Sequence, residues 1–469
     1  MKTGWQTKTL AEVCQIKPPK AEVRGSFAET DLVSFVPMED LGIDEKLLVP
    51  TQTRPLADVA GSYTYFADGD VLMAKITPCF ENGKLGIAAN LTNGIGFGSS
   101  EYIVFRPDKS IDKEWLYYYL SRETFRSEGA ERMTGAVGHK RVAKEFIEGY
   151  SIPVPPLSEQ QRIVGILDEA FEGLATVKAN AEKNLKNARA LFESHLESVF
   201  TQRGSVSSER QTNQKSLACS MPQEASQSPA SNAEMARLNS GYVTKTGGRE
   251  ATLRHIPGNL SLAVGMPRTG ARKGWRWSAL TDLARLESGH TPSRKHPEYW
   301  GGSIPWIGIQ DARENHGQRI TDTFQKTNEL GIANSSARVL PENTVCLSRT
   351  ASVGYVVVMG RPMATSQDFV NWVCSDKLKP EFLKYLILAE GRDGLLRYAS
   401  GSVHQTIYFP EAKAFHVCYP EPKEQLRIVR QCDAIREETQ RLESIYQQKL
   451  AALETLKKSL LHQAFSGAL

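Results

Sequence analysis

Pro155-Pro156-Leu157-Ser158-Glu159-Gln160-Gln161-Arg162-Ile163-Val164 returns as Pro420-Glu421-Pro422-Lys423-Glu424-Gln425-Leu426-Arg427-Ile428-Val429, displaced by 265 residues. The same displacement carries Asp168 to Asp433, Leu185 to Leu450, Leu191 to Leu456 and Phe200 to Phe465. A fixed internal period of this kind marks a duplicated structural unit. Regions further upstream repeat more loosely. Gly4-Trp5 returns as Gly274-Trp275, Ser99-Ser100-Glu101-Tyr102-Ile103 as Ser366-Gln367-Asp368-Phe369-Val370, and Gly135-Ala136-Val137 as Gly401-Ser402-Val403. The drifting offset says that these parts accepted insertions where the repeated ends did not.

Each repeated end reads as one long helix. From Ile163 the apolar positions run through Ile166, Ala170, Leu174, Val177, Ala181, Leu185, Ala188 and Leu191 to His195 and Val199. Their mean step is about 3.6, the α-helical period. The second copy runs from Ile428 through Leu442, Leu450 and Leu456 to Ala464. Pro153, Pro155 and Pro156 end the preceding strand, and Ser158 with Gln161 suggests a capping box. Lys423 and Leu426 hold those places in the second copy, which predicts a different cap there. At about 1.5 Å per residue each helix is ~65 Å long, too long to bury one apolar stripe alone. The expected solution packs the two stripes against each other, antiparallel. Ile163, Val177, Leu185 and Leu191 then lie on one helix and Ile428, Leu442, Leu450 and Leu456 on the other, as spacer and partner-facing positions.

The remaining halves are strand-rich. Val71-Leu72-Met73, Tyr102-Ile103-Val104-Phe105, Tyr355-Val356-Val357-Val358 and Phe369-Val370-Asn371-Trp372-Val373 are short β-branched or aromatic runs between turn residues. A helix, near Trp115 or Phe382, follows the last strand of each half. The expected fold class is α+β: two strand-rich α/β domains joined by two long antiparallel helices, with an internal pseudo-two-fold repeat. The domains are then 1–152, a helix over 153–204, a flexible linker over 205–270, 271–417, and a second helix over 418–469. The linker is polar and nearly lacks large apolar residues in its first half; His255 to Met266 is more apolar, which leaves room for partial order.

Composition narrows the class. The chain has 469 residues, 40% of them hydrophobic and 23% charged, a globular profile. No apolar run nears the roughly 20 residues of a membrane span. Met1 to Trp5 leads into no signal-peptide core, so the expected location is cytoplasmic. Lys+Arg at 57 against Asp+Glu at 53 gives +4, which permits an anionic partner without demanding one. Seven scattered cysteines without a C-x-x-C pair read as reduced thiols. There is no phosphate-loop signature, no H-E-x-x-H and no Asn/Asp-Pro-Pro-aromatic tetrapeptide, and Pro107-Asp108 lacks a nuclease partner. Gly94-Ile95-Gly96-Phe97-Gly98 reads as a hairpin turn rather than a nucleotide loop. The expectation is a non-catalytic chain that binds no cofactor or metal itself.

Ser288-Gly289-His290-Thr291-Pro292-Ser293, Tyr299-Trp300-Gly301-Gly302-Ser303-Ile304-Pro305-Trp306, Thr365-Ser366-Gln367-Asp368-Phe369 and Ser400-Gly401-Ser402-Val403-His404-Gln405 follow one another in order. With Pro155 to Ile163, they closely resemble the specificity subunits of type I restriction-modification systems. The resemblance covers all but roughly 205–270. It departs from the family in this long linker, and in Thr134-Gly135-Ala136-Val137-Gly138-His139 of the first half. It implies a subunit that reads an asymmetric bipartite site on double-stranded DNA. It also implies two methyltransferase subunits, which use S-adenosylmethionine on adenine, and two motor-nuclease restriction subunits, which use ATP and Mg2+. No membrane role is implied.

Base reading needs polar side chains on turns at a shared edge. The candidates in the first half are Lys75, Thr77, Asn82, Lys84, Ser100, His139 and Lys140, with Glu39 and Asp40. In the second half they are Gln310, Asp311, Arg349, Thr350, Ser352, Ser366, Gln367, His404 and Gln405. Trp306 and Tyr299 read as packing residues, and His195 as a hydrogen-bonded core histidine. Two rival readings stand beside this one: a single-chain nuclease or DNA methyltransferase with diverged motifs, and a coiled-coil scaffold that binds no DNA.

Overall fold

A computed structural model describes residues 4–201 and 242–469, apart from 24, 137, 247–248, 254, 258–259, 268–269, 351 and 402–403. The expected flexibility of the linker, over 205–241, and Cys219 lie outside the described residues. The chain divides into two units, Met1–Asn184 with Ile445–Leu469, and Leu185–Ser444.

Each unit carries a five-stranded sheet of the same order. In the first unit it runs Cys14–Ile16, Tyr102–Pro107, Val71–Ala74, Leu85–Ala88, Leu47–Leu48. In the second it runs Ala284–Ser288, Phe369–Cys374, Val345–Ser348, Val356–Met359, Arg319–Ile320. Neighbours are antiparallel except the last pair, parallel in both units. The loosely repeated regions therefore fold alike although their offsets drift. A smaller sheet also recurs. Leu32–Val36 lies parallel to Ile95–Gly98, and Trp300–Ile307 parallel to Ala364–Thr365. Gly94 to Gly98 is thus a strand rather than the expected hairpin turn, with only Gly94 at the bend. Its glycines serve packing: a Cβ on Gly96 would lie 2.5 Å from the Phe66 ring, and one on Gly98 2.5 Å from the Val36 carbonyl.

The long helices are Leu157–Phe200 and Pro422–Ser466. Within the first unit they run antiparallel, with Lys178 bonded to Glu454 at 2.8 Å and Lys457 over the Phe171 ring. Within the second unit, Arg189 pairs with Glu443 at 3.4 Å and Arg436 lies over Phe192. Each helix ends in the unit where the other begins. Phe465 packs on Trp115 at 4.5 Å between ring centroids, and Trp115 on Trp5. Phe200 packs on Phe382 at 5.4 Å, and Phe382 on Trp275. Aromatic trios of this kind, edge-on in the first unit and tilted in the second, favour a closed core.

The helix starts differ from expectation. No Ser158 capping box forms, because the helix begins one residue earlier and the Pro156 carbonyl accepts from Glu159 and Gln160. The Glu421 carbonyl does the same for Glu424 and Gln425, so the two starts are alike. The repeated glutamine explains why. Gln160 is fully buried; its amide donates to the Ser110 and Pro155 carbonyls and its oxygen accepts from the Asp112 amide. Gln425 repeats the set with Lys377, Pro420 and Lys379. Tyr118 donates to Asp168, and Tyr385 to Asp433, tying the next turn to the domain helix.

The apolar stripe also needs correction. Ile163, Leu167, Ala181, Ala188, Leu196 and Phe200 are buried, whereas Ile166, Val177, Leu191 and Leu456 are exposed. A two-helix seam covers one narrow row, so the apolar side chains beside it stay uncovered. His195 Nε2 finds no hydrogen-bond partner among the described residues, against the expected bonded core histidine.

The boundary at 270 is too late. Leu262–Val264 forms an edge strand on Phe415–Pro420, and Leu260, Leu262 and Val264 join the second unit's core. The reason lies in one sheet edge. At the equivalent edge of Ser151–Val154, Trp115 Nε1 donates to the Pro153 carbonyl, Tyr119 to the Ser151 carbonyl, and Pro153 has no N–H. Phe382 and Leu386 stand at those helix positions in the second unit and cannot donate. A strand fills the role instead, the Cys418 amide donating to the Ser261 carbonyl.

Candidate nucleic-acid interface

In each unit four chain segments meet at one end of the five-stranded sheet. Tyr102 faces Ala74 and Phe105 faces Ile16, so the turns after Ile16 and Ala74 and the turn before Tyr102 share that end. In the second unit Ser288 faces Val370 and Ser348 faces Phe369, which brings together the turns after Ser288 and Ser348 and before Phe369. The fourth segment is a loop closed on itself. Thr134 and Arg141 exchange backbone bonds, as do Ser400 and Thr406. The loop is then tied to the turn: Val142 donates to the Lys75 carbonyl, and Ile407 to the Arg349 carbonyl. Lys75 and Arg349 in turn donate their amides to the carbonyls of Glu101 and Asp368.

Most first-half candidates come together here. His139, Lys140 and Ser100 are exposed at this end. Lys75 is there too but is engaged: its ammonium donates to the Ser100 carbonyl at 2.9 Å and lies 4.0 Å from Glu101. Burial pushes its pKa down, since desolvation penalises the charged form. Thr77 bonds Glu81, Lys84 bonds the Met38 carbonyl and Asp40 bonds Thr51, so these serve the framework, while Asn82 and Glu39 are exposed.

In the second half Gln367, His404 and Gln405 are exposed, with Thr350 and Ser352 half-buried beside them. Gln405 donates to the Gly401 carbonyl, and Gln367 accepts from Thr291. Arg349 lies over the Phe409 ring, and burial lowers its pKa. Ser366 is buried and bonded to Asp368. Asp311 is buried with one oxygen on the Gly308 amide and the other on the Phe324 amide, which makes it loop framework rather than a reader. Gln310, one residue earlier, is exposed and donates to Glu314. Trp306 is buried against Trp300, with Arg294 over both rings, and Tyr299 stacks on His296, as packing roles require.

Sequence reading missed the clamp that holds the first loop. Arg141 grips Glu101 with two bonds, Nε to Oε2 at 2.9 Å and Nη2 to Oε1 at 2.7 Å. Paired guanidinium and carboxylate forks are directional and strong for surface contacts. Each stabilises the other's charge, so Glu101 lies below the usual carboxylate range and Arg141 above its own. It also missed the first turn. A Cβ on Gly289 would collide with the Ser366 carbonyl at 1.9 Å, and the His290 amide donates to the Thr365 carbonyl, so Gly289 lets this turn close on the site. The repeated Ser99-Ser100-Glu101 and the Ser288-Gly289 motif were the available signals.

A family model described as type I restriction modification DNA specificity domain matches residues 2–187 and 272–453. The type I restriction enzyme EcoAI specificity subunit of Escherichia coli is 28% identical over 380 residues, 74% of this chain and 61% of that one. The EcoEI specificity subunit of Escherichia coli is 34% identical over 233 residues, 45% of this chain and 39% of that one. The matched region thus spans less than two thirds of either relative. A chain from a structure of type I R-M system assembly and conformational transition superposes with a TM-score of 0.71 at 17% identity, covering 100% of this chain and 99% of that chain. The HsdS subunit from Thermoanaerobacter tengcongensis gives 0.57 at 17% identity, covering 100% and 98%. At such identities the likeness is one of fold.

Proposed function

The chain belongs to the family of type I restriction modification DNA specificity domains, and on that premise we propose that it reads a bipartite, asymmetric DNA target without catalysing a reaction itself. The observation that carries this reading is the pair of four-segment edges at equivalent sheet ends. Their frameworks share the strand order and the backbone bonds that close the loop and tie it to the turn. Their exposed side chains differ: beside a histidine on each loop, His139 and His404, Ser100 and Lys140 stand on one edge and Gln367 and Gln405 on the other. Equal scaffolds with unequal polar turns suit two different half-sites. A net charge of only +4 fits a chain whose partners supply much of the phosphate contact.

Those partners are two methyltransferase subunits and, in a restricting assembly, two motor-nuclease subunits. S-adenosylmethionine belongs to the former, ATP and Mg2+ to the latter, and the location is the cytoplasm. The repeat itself supports two copies of one docking partner. Among positions identical in both copies, most are explained by the core: Gln160, Ile163, Val164 and Phe200 with their equivalents. Glu159 with Arg162 and Glu424 with Arg427 are not, since each forms an ion pair on the outer face of the first turn. Nor are Leu191 and Leu456, exposed at 52% and 47%. Retaining the same outward residues twice fits one partner bound twice. No helix among the described residues is long and apolar enough to cross a membrane.

The test is reconstitution. The chain with its methyltransferase partner should bind and methylate one bipartite duplex sequence, and the chain alone should neither transfer a methyl group nor cut DNA. Catalysis by the isolated chain would support the enzyme reading. Failure of the reconstituted complex to select any duplex sequence would support the scaffold.

A further inference from the structure

The cations at the first unit's interface divide into two kinds. Lys75 is held by Ser100 and Glu101, Arg141 by Glu101, and Lys20 by the carbonyls of Ala60 and Gly61 at 3.0 and 2.7 Å. These charges are spent on holding turns in place. The ammonium groups of Lys17 and Lys140 have no hydrogen-bond or ion-pair partner among the described residues. Lys17 is the first residue past strand Cys14–Ile16, at the sheet end where the other turns meet. Its amide donates to the Val104 carbonyl, three residues along from Glu101, which pins the backbone. Its φ of +58° sets it in the left-handed region, where the chain turns out of the sheet. It lies among other cations: Lys17 disfavours the charged forms of both Lys20 and Lys75. A pinned backbone carrying a free cation amid other cations is an arrangement that an anion would relieve.

We propose that Lys17 is a phosphate-contacting residue of the first recognition edge, neutralising one backbone phosphate and orienting the duplex for the neighbouring turns. This rests on the DNA-reading function proposed above. A phosphate suits Lys17 better than a base edge does. The ammonium is a point charge on a flexible stem with no directional fork, and phosphate contacts position the duplex without carrying sequence. In the second unit Glu287 holds the matching place, set against Asn371 as Lys17 is set against Val104, so this contact is particular to the first half-site.

The experiment compares Lys17→Gln with Lys109→Gln in the complex of the full chain with its methyltransferase subunit. Lys109 is exposed on the turn after Tyr102–Pro107, at the opposite end of the same sheet. Binding to the methylated motif's duplex and to mixed-sequence duplex is measured across a salt series. Lys17→Gln should lower the slope of log K against log salt by about 0.9, an affinity ratio that changes about threefold between 50 and 200 mM. It should weaken both duplexes alike, and Lys109→Gln should leave the slope unchanged. An unchanged slope for Lys17→Gln, or equal losses for both variants, overturns the proposal. A loss confined to the specific duplex also overturns it, since Lys17 would then read bases. If the unsubstituted complex binds no duplex at low salt, the DNA-reading function fails, and the role of Lys17 with it.

Discussion

Gln160 and Gln425 each hold three backbone groups at the junction of strand, domain helix and long helix, so Gln160→Leu leaves two carbonyls and an amide buried without partners. That should cost about 2–4 kcal/mol, read as a lower denaturant midpoint, with Gln425→Leu equal within error because the bonding set is the same. Glu101 gives a pH prediction. Its folded pKa lies below its unfolded value of about 4.3, so it stabilises the fold above that value and loses the contribution as pH falls through the folded one. The midpoint difference between the native chain and Glu101→Gln should therefore be present at neutral pH and vanish in acid; a difference that persists in acid would rule out the charge as its source. At this scale the sequence was only partly legible. The repeated glutamine was visible as a repeat, but its role appears only once Ser110 and Asp112 are known to lie beside it. The Glu101–Arg141 clamp joins residues 40 apart in the chain, and no periodicity links them. Asp311 and Ser366 looked like readers because polar residues on turns usually face water, whereas folding turned both inward.

Among the elements, the edge strand Leu262–Val264 carries the clearest consequence. Leu262 is 1% exposed, and Leu262→Ala should cost about 2–5 kcal/mol in the second unit's thermal transition. The linker should behave differently. Ser261 Oγ donates to the Phe200 carbonyl at 2.7 Å, so the chain leaves and rejoins the second unit at neighbouring points. Replacing 205–241 by about a dozen Gly/Ser residues changes only a slowly varying closure entropy. Assembly with the methyltransferase subunit and thermal midpoint should both survive; loss of assembly would show that this segment holds a needed element. The dispensable stretch stops at 241 because Tyr242–Thr246 pairs with Arg249–Leu253. Strands and long helices were legible because alternation and the 3.6-residue period are local signals. The strand at 262 was not, since its partner lies some 150 residues later and its need arises from Phe382 and Leu386 standing where Trp115 and Tyr119 stand in the first half. The exposed Val177, Leu191 and Leu456 were assigned to the seam because period alone does not say how wide a two-helix interface is.

For the whole molecule, duplication was the most legible property, since a fixed 265-residue displacement needs no knowledge of contacts. What duplication leaves unsaid is whether the two edges read independently. Their frameworks share no residue: one is built on Lys75, Glu101 and Arg141, the other on Arg349, Asp368 and Thr406. Each should therefore encode one half of the target. The direct measurement is genome-wide mapping of N6-methyladenine in cells that express the chain with its methyltransferase subunit. The unsubstituted chain should yield one bipartite motif with an unread spacer. A chain with Ser100, His139 and Lys140 replaced by alanine should degrade one half of that motif and leave the other half and the spacer intact; a single continuous motif, or joint change of both halves, would contradict the account.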